Sequence, residues 1–410
     1  MNLNMNTITI GIIREGKVPP DFRVPLTPKQ CNEIQKRFPN VKVLVQTSPI
    51  RTFKDEEYEQ EGIKIVENLN DCDIIFGVKE VPISYLIENK TFFFFSHTIK
   101  KQPYNRELLR ELLSKKIRLV DYEVIKDKQN KRLIGFGRYA GIVGCYNSFL
   151  TYGLKTKTFE LKPAHLCANR QEVEEELKKV ILQKNFRVLL TGFGRVGHGA
   201  REIIKLLPIK EVSAEDYLTQ SFEEPIFAQL EVEDYYGRKD NSQFVKSEFY
   251  SNPELYKSTF KRYVPITDMY IPCHFWNAKA PNILSREDLQ EENKRIKVIG
   301  DISCDIAGPI AATIRPSKIG DSIYGYNPFS GKETDFMDSD AIAVMAVDNL
   351  PCELPKDASD DFGDELLKHV LPALFGEDLD KIIERGSETD FSGNLTDGFK
   401  YLQNYLEGKE

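Results

Sequence analysis

The chain has 410 residues, 41% of them hydrophobic and 29% charged, with 56 basic against 63 acidic side chains and a formal charge of −7. That length exceeds what one hydrophobic core usually organises, so two domains are expected, and the lack of low complexity or long like-charge blocks predicts a chain folded nearly throughout. The acidic balance without a Lys/Arg stripe excludes a nucleic-acid surface, and the longest apolar runs, Phe92 to Phe95 and Ala341 to Val347, are too short for a membrane span.

Thr7 to Ile13 reads as a β-strand, followed by Thr27-Pro28, a cap and first-turn pair that opens a helix around Cys31 to Phe38. Val41 to Gln46, Asp73 to Val78, Phe92 to Phe95 and Ile117 to Val120 read as buried strands. Asn105 to Leu113 carries Leu108, Leu109, Leu112 and Leu113 on one helical stripe. Strand alternating with helix predicts an open α/β sheet.

The glycine-dense segment Gly135 to Gly141 marks a domain crossing, with a helix leaving from Ile142. A charged helix at Gln171 to Val180 precedes the strand Phe186 to Leu190. That strand runs into Gly192-Phe193-Gly194-Arg195-Val196-Gly197, with helix expected over Ala200 to Leu207. Further strands are expected at Met269 to Cys273 and Lys297 to Ile302, and Asp234 to Lys261 reads as an irregular insertion. Ala341 to Val347 and a helix over Phe362 to Leu374 close the pattern. The fold class is α/β, two Rossmann-like domains with parallel sheets and an interdomain cleft. Residues 1–140 form a substrate-side domain completed by 350–410, and residues 141–349 form a dinucleotide-binding domain.

In Gly192-x-Gly194-x-x-Gly197 the first glycine permits a tight turn and the second lets backbone approach a pyrophosphate. The third allows close packing at a helix N-terminus, so NAD or NADP is the expected cofactor. The acid for the adenosine ribose is expected about 20 residues later, where Glu211, Glu215 and Asp216 all qualify and Glu215 stands central. In the first domain Lys79-Glu80 and His97 follow two strands directly. Carboxyl ends of parallel strands share one crevice, so Lys79 and His97 are candidates for a proton-transferring pair if desolvation lowers the lysine. Arg23 and Arg132 are candidates for clamping a substrate carboxylate. His274 follows a strand beside Phe275-Trp276 and reads as packing. Seven scattered cysteines, none in a C-x-x-C pair, suggest neither disulfides nor a metal site, and with no signal-peptide pattern the expected compartment is the cytoplasm.

Several stretches resemble the lysine-forming saccharopine dehydrogenases and the lysine-ketoglutarate reductase domain, relatives of alanine dehydrogenase and the transhydrogenase nucleotide-binding subunit. They are Arg14-Glu15 with Arg23 to Pro28, Gly77 to Pro82, Ser96 to Lys100, Asp121-Tyr122-Glu123, Gly137 to Gly141, Asp301 to Asp305 and Val347 to Pro351. The resemblance implies a reversible reaction in which saccharopine, oxidised dinucleotide and water give lysine, 2-oxoglutarate and reduced dinucleotide. It places the base on Lys79, the acid/base histidine on His97 and substrate-carboxylate positions on Arg23 and Arg132. Charge partners fall on Lys100 and Glu123, and Asp348 falls near the nicotinamide. The insertion and the ending Asn349 to Gly363 are closer to the reductase domain of the bifunctional enzyme, whose linked second domain has no counterpart in these residues. An alanine-dehydrogenase-like amino-acid dehydrogenase is the alternative reading. Subunit number is left open.

Overall fold

The protein is described here by a computed structural model covering residues 7–409. It divides into two compact units, one formed by the chain up to Phe136 together with Pro355 onward, the other by Gly137–Leu354.

The first unit is built on six strands: β1 (Ile8–Ile12), β2 (Val41–Gln46), β3 (Lys64–Val66), β4 (Ile74–Phe76), β5 (Thr91–Phe94) and β6 (Arg118–Asp121). All pair in parallel, in the order β3-β2-β1-β4-β5-β6. The chain winds one way from β1 and the other way from β4, so the order reverses between them, and ligands of open α/β sheets bind at such a reversal. The run Phe92 to Phe95 shows why the strand forms. Phe92 and Phe94 enter a cluster with Leu108 and Leu112, whereas Phe93 and Phe95 enter the opposite one with Phe76, Tyr122 and Phe362. A period of two thus covers both faces with aromatic rings.

The helix Pro28–Arg37 is fixed at its start by Thr27, whose hydroxyl accepts the Gln30 N–H while the Gln30 side chain accepts the Thr27 N–H. Such a reciprocal cap stabilises by about 1 kcal/mol. The expected helix at Phe362 to Leu374 is longer than anticipated. It begins at Pro355, passes through a wide π-turn at Leu366–Val370 and ends at Phe375. The wide turn precedes Pro372, which has no N–H for the ladder and crowds the carbonyl four residues back. Beyond it, Ser387 bridges Val120 antiparallel, and the Glu388 N–H donates to the Leu119 carbonyl at 2.8 Å. The tail thereby pairs with the free edge of β6.

The second unit carries a mixed eight-stranded sheet. Its strands are β7 (Arg187–Thr191), β8 (Lys210–Glu211), β9 (Ile226–Leu230), β12 (Met269–Pro272), β13 (Val298–Gly300), β14 (Ile323–Asn327), β15 (Lys332–Thr334) and β16 (Ile342–Met345). A separate hairpin is made by β10 (Tyr236–Arg238) and β11 (Tyr256–Ser258). The sheet order is β15-β14-β16-β13-β12-β7-β9-β8, parallel except for β14 and β15. That antiparallel edge departs from the all-parallel expectation. The segment 234–261 is not irregular, because the hairpin and the helix Lys246–Ser251 pack Tyr236, Phe249 and Tyr256 into the core. Among the described residues no helix is long and apolar enough to cross a membrane.

Candidate active site

In the first unit, β1, β4, β5 and β6 deliver Glu15, Lys79-Glu80, His97 and Glu123 from the same carboxyl edge of the sheet. Glu15 accepts the N–H groups of Val78 at 2.7 Å and Lys79 at 3.0 Å, which pins the loop after β4. Burial, with the Asp21 charge behind it, pushes the Glu15 carboxyl up to about 8 against the pull of those two donors. Lys79 is half-buried, and its ammonium has no hydrogen bond or ion pair among the described residues. Burial lowers it below the ordinary lysine value, and the charges of Arg23 and Lys17 push the same way.

Glu80 binds His97 Nδ1 through Oε1 at 2.5 Å and accepts from Lys17 Nζ through Oε2 at 2.7 Å. Burial opposes its charge, yet the bonds from His97 and Lys17 outweigh it and hold the carboxyl down at about 2. A carboxylate depressed from 4.5 to about 2 contributes stability that is complete above 4.5 and lost as pH falls toward 2, about 3 kcal/mol in all. Glu80→Gln should therefore flatten the acid limb of the stability curve between those values, measured by urea unfolding at stepped pH. An unchanged limb would show that Glu80 is not so held.

His97 itself adopts the left-handed region, φ 55°, ψ 14°. A non-glycine residue there costs on the order of 1–3 kcal/mol and persists only where its surroundings enforce it. Its ring lies against Phe95, with centroids 6.4 Å apart, and the Arg132 guanidinium stands 5.2 Å over that same phenyl ring. Arg132 and Lys100 flank Glu123 at 3.9 and 3.6 Å. The structure thus brings Lys79, His97, Lys100, Glu123 and Arg132 to one region of one unit.

Arg23 differs from expectation. Its guanidinium gives Nε and one terminal nitrogen to Asp21 at 2.9 and 2.6 Å, stacks 4.1 Å over Phe136, and is 2% exposed. A bidentate carboxylate already occupies that fork, so Arg23 is a buried charge acting on Lys79 and not an open clamp.

In the second unit Gly192 has φ +94°, and a Cβ there would meet the Cys273 carbonyl oxygen at 2.8 Å. A Cβ on Gly197 would lie 2.1 Å from the Gly192 oxygen, so the third glycine seats the helix on the strand. A Cβ on Gly194 would meet nothing within 4 Å. That open space belongs to a cavity of about 650 Å³ whose lining includes Gly192, Phe193, Gly194, Arg195, Val196 and Glu231. The helix Arg195–Ile204 starts inside the glycine motif, earlier than the sequence suggested, with Gly194 as its cap. Its N-terminal N–H groups suit a pyrophosphate, so the residues present fit a dinucleotide.

None of the three acids expected for the ribose is in the lining of this cavity. Glu215 and Asp216 lie in the short helix Ala214–Thr219, and Glu211 ends the edge strand β8. The strand beside β7 is β9, and the residue at its carboxyl end is Glu231, which lines the cavity and pairs with Lys246 at 2.8 Å. Counting 20 residues does not reach the end of β9 because β8 and the Ala214–Thr219 helix intervene; the signal available for that strand was the apolar run Ile226 to Leu230.

His274, read from sequence as packing, also lines this cavity. Its Nδ1 meets the Thr191 hydroxyl at 2.7 Å, its Nε2 is buried without a partner among the described residues, and burial holds it down at about 3, a neutral ring. Asp348 is exposed in the loop after β16. Among the described residues no group of His, Cys, Asp and Glu is arranged to hold a metal, and all seven thiols are free.

Residues 11–143 match the family model described as alanine dehydrogenase/PNT, N-terminal domain. The chain is 31% identical to alpha-aminoadipic semialdehyde synthase of Arabidopsis thaliana over 96% of its own length and 41% of that protein. It is 29% identical to the mitochondrial alpha-aminoadipic semialdehyde synthase of Mus musculus, over 95% and 47%. With saccharopine dehydrogenase (NAD(+), L-lysine-forming) of Neurospora crassa it shares 24% identity over 86% of this chain and 87% of that one. Among solved structures an L-alanine dehydrogenase matches with TM-score 0.65 at 17% identity, covering 97% of this chain and 100% of the other. A transhydrogenase from Sinorhizobium meliloti matches with TM-score 0.58 at 12% identity, covering 95% and 98%.

The fold is that of the alanine dehydrogenases, two α/β units with one parallel and one mixed sheet. Nearly the whole chain is similar in sequence to the aminoadipic semialdehyde synthases and, at lower identity, to the L-lysine-forming saccharopine dehydrogenases, and residues 11–143 carry the alanine dehydrogenase/PNT N-terminal domain match. The chain spans less than half the length of the aminoadipic semialdehyde synthases it matches.

Proposed function

We propose that the chain interconverts saccharopine, oxidised nicotinamide dinucleotide and water with lysine, 2-oxoglutarate and reduced dinucleotide. The observation that carries this reading is Lys79, a half-buried amine with no ion-pair partner among the described residues, one residue from a Glu80 that orients His97. When bound, the dinucleotide supplies hydride transfer and the protein supplies the proton steps.

As the substrate C–N bond is oxidised to an imine, the nitrogen loses a proton, and an amine whose charge is disfavoured by burial is suited to take it. Water then adds to the imine carbon. His97, with Nδ1 held by Glu80, can take the proton from that water through Nε2 and return it to the departing lysine nitrogen. Arg132, over Phe95 and beside Glu123, is the guanidinium placed to meet a carboxylate of the oxo-acid half, with Lys100 as a second positive charge. Glu231, at the end of β9, stands where the adenosine ribose hydroxyls need an acceptor, which favours NAD(H), the coenzyme in the names of the fungal relatives.

The test is near-ultraviolet absorbance of reduced dinucleotide, supplied as NADH or NADPH, on mixing with lysine and 2-oxoglutarate, beside wells holding pyruvate and ammonia. Consumption only in the first wells is expected. Consumption only with pyruvate and ammonia would move the chain to the alanine-dehydrogenase reading. In the expected case Arg132→Ala should raise the KM for 2-oxoglutarate by roughly 10-fold or more, the scale of a lost charge-assisted pair. An unchanged KM would remove Arg132 from the substrate site.

A further inference from the structure

Beneath His97 lies a buried row of four oxygens that the proton steps above do not use. Asp121 Oδ2 meets Ser96 Oγ at 2.5 Å, Ser96 Oγ meets Thr98 Oγ1 at 2.6 Å, and Thr98 Oγ1 meets Glu388 Oε2 at 2.5 Å. All four residues are 0% exposed. Three short oxygen–oxygen contacts need three protons, and the two hydroxyls supply only two, so one carboxyl in the row is protonated.

The donors around each acid decide which one. Asp121 accepts the Ser96 N–H at 2.9 Å through Oδ2 and the Glu123 N–H at 2.6 Å through Oδ1, so it is the better-served charge. Glu388 receives one donor contact, from Thr98, lies within hydrogen-bonding reach of the Asp121 carboxylate, and has its Oε1 buried without a partner among the described residues, an arrangement that suits a neutral acid. Burial first, and then the Asp121 charge, push Glu388 well above the ordinary carboxylate value. The bonds therefore run one way, from Glu388 O–H to Thr98, from Thr98 O–H to Ser96, and from Ser96 O–H to Asp121.

Ser96 and Thr98 are the two neighbours of His97, and the row grips both while the Asp121 end also holds the backbone of Glu123. We propose that Glu388, brought in where the tail bridges β6, is a protonated positioning residue whose O–H completes this row and holds His97 in its left-handed conformation opposite Glu80. The proposal rests on the reading of His97 as a proton-transfer group for its effect on turnover, and on geometry alone for its effect on the loop.

Glu388→Gln, Glu388→Ala and Thr98→Val in the full chain test it. A glutamine N–H can replace the acid O–H toward Thr98, so Glu388→Gln should keep near-native turnover. Glu388→Ala should lose up to about 10²-fold in kcat, the cost of a slightly misplaced catalytic group, at unchanged affinity for NADH. Thr98→Val breaks the row without opening a cavity and should repeat the loss if the alanine variant does not fold. Loss in the glutamine variant equal to that in alanine, or none in alanine and valine, overturns the proposal. His97→Gln in the same assay separates the two readings, since full activity there sinks the histidine's catalytic role. In that event, or if wild type is inactive, amide hydrogen exchange at Ser96 and Thr98 decides. Protection kept in Glu388→Gln and lost in Glu388→Ala upholds the row, and equal protection in all variants overturns it.

Discussion

Lys79→Met is expected to lower turnover of lysine, 2-oxoglutarate and reduced dinucleotide by roughly 10²- to 10⁴-fold, the usual worth of a positioned proton-transfer group. The fold should survive and even gain. The Lys79 ammonium makes no hydrogen bond or ion pair among the described residues, and burial together with Arg23 and Lys17 disfavours its charge, so methionine keeps the stem and removes the penalty. A melting temperature at or above that of wild type, beside collapsed turnover and intact NADH binding, is the expected combination. His97→Gln should show a comparable loss of rate. Because it also releases one of the two partners of Glu80, it should cost stability that Lys79→Met does not. Turnover within a factor of about three in both variants would be too small for proton transfer and would leave the chain as a dinucleotide-binding protein without this chemistry.

Gly194→Asp should abolish dinucleotide binding and leave the fold intact. A side chain at Gly194 points into open space within the cavity, so it meets no protein atom, but it puts a carboxylate where a pyrophosphate would approach the first turn of Arg195–Ile204. A fall of at least about 100-fold in NADH affinity is expected from like-charge repulsion at a desolvated helix terminus, read by quenching of protein fluorescence or by calorimetry. Gly197→Ala is the contrasting variant. Its methyl would sit 2.1 Å from a backbone oxygen that cannot step aside, so it should lower the melting temperature as well as the affinity. If Gly194→Asp binds NADH as wild type does, the dinucleotide does not lie on this loop.

Much of the fold was legible because the elements that carry it are written locally. Val41–Gln46 forms a strand with the bounds its composition suggested, and the four phenylalanines of 92–95 could only be a strand buried on both faces. Thr27 and Pro28 state a helix start in the order the backbone needs, and the structure adds Gln30 as the reciprocal cap. Among the strands that were missed, β3, β8, β10, β11 and β15 are only two or three residues long, while β9 and β14 lie where spacing rules mislead or where the pattern is brief. The Ile226 to Leu230 run follows an inserted edge strand and helix, and Ile323 to Asn327 is five residues interrupted by a glycine.

The sequence by itself determined the order of chemistry-bearing residues along the chain and their offsets from strands. Hydrophobic period and capping chemistry act over a few residues, which is why Lys79, Glu80, His97 and the glycine loop could be singled out. Only the tertiary structure decided what each faces, because charge pairing and desolvation depend on neighbours far away in sequence. It closed Arg23 on Asp21 over Phe136, and it put Glu231 instead of Glu215 beside the glycine loop. It also brought Glu388 across 290 residues to meet Thr98 beneath His97, a contact that no local rule could anticipate, since it exists only where the tail pairs with β6.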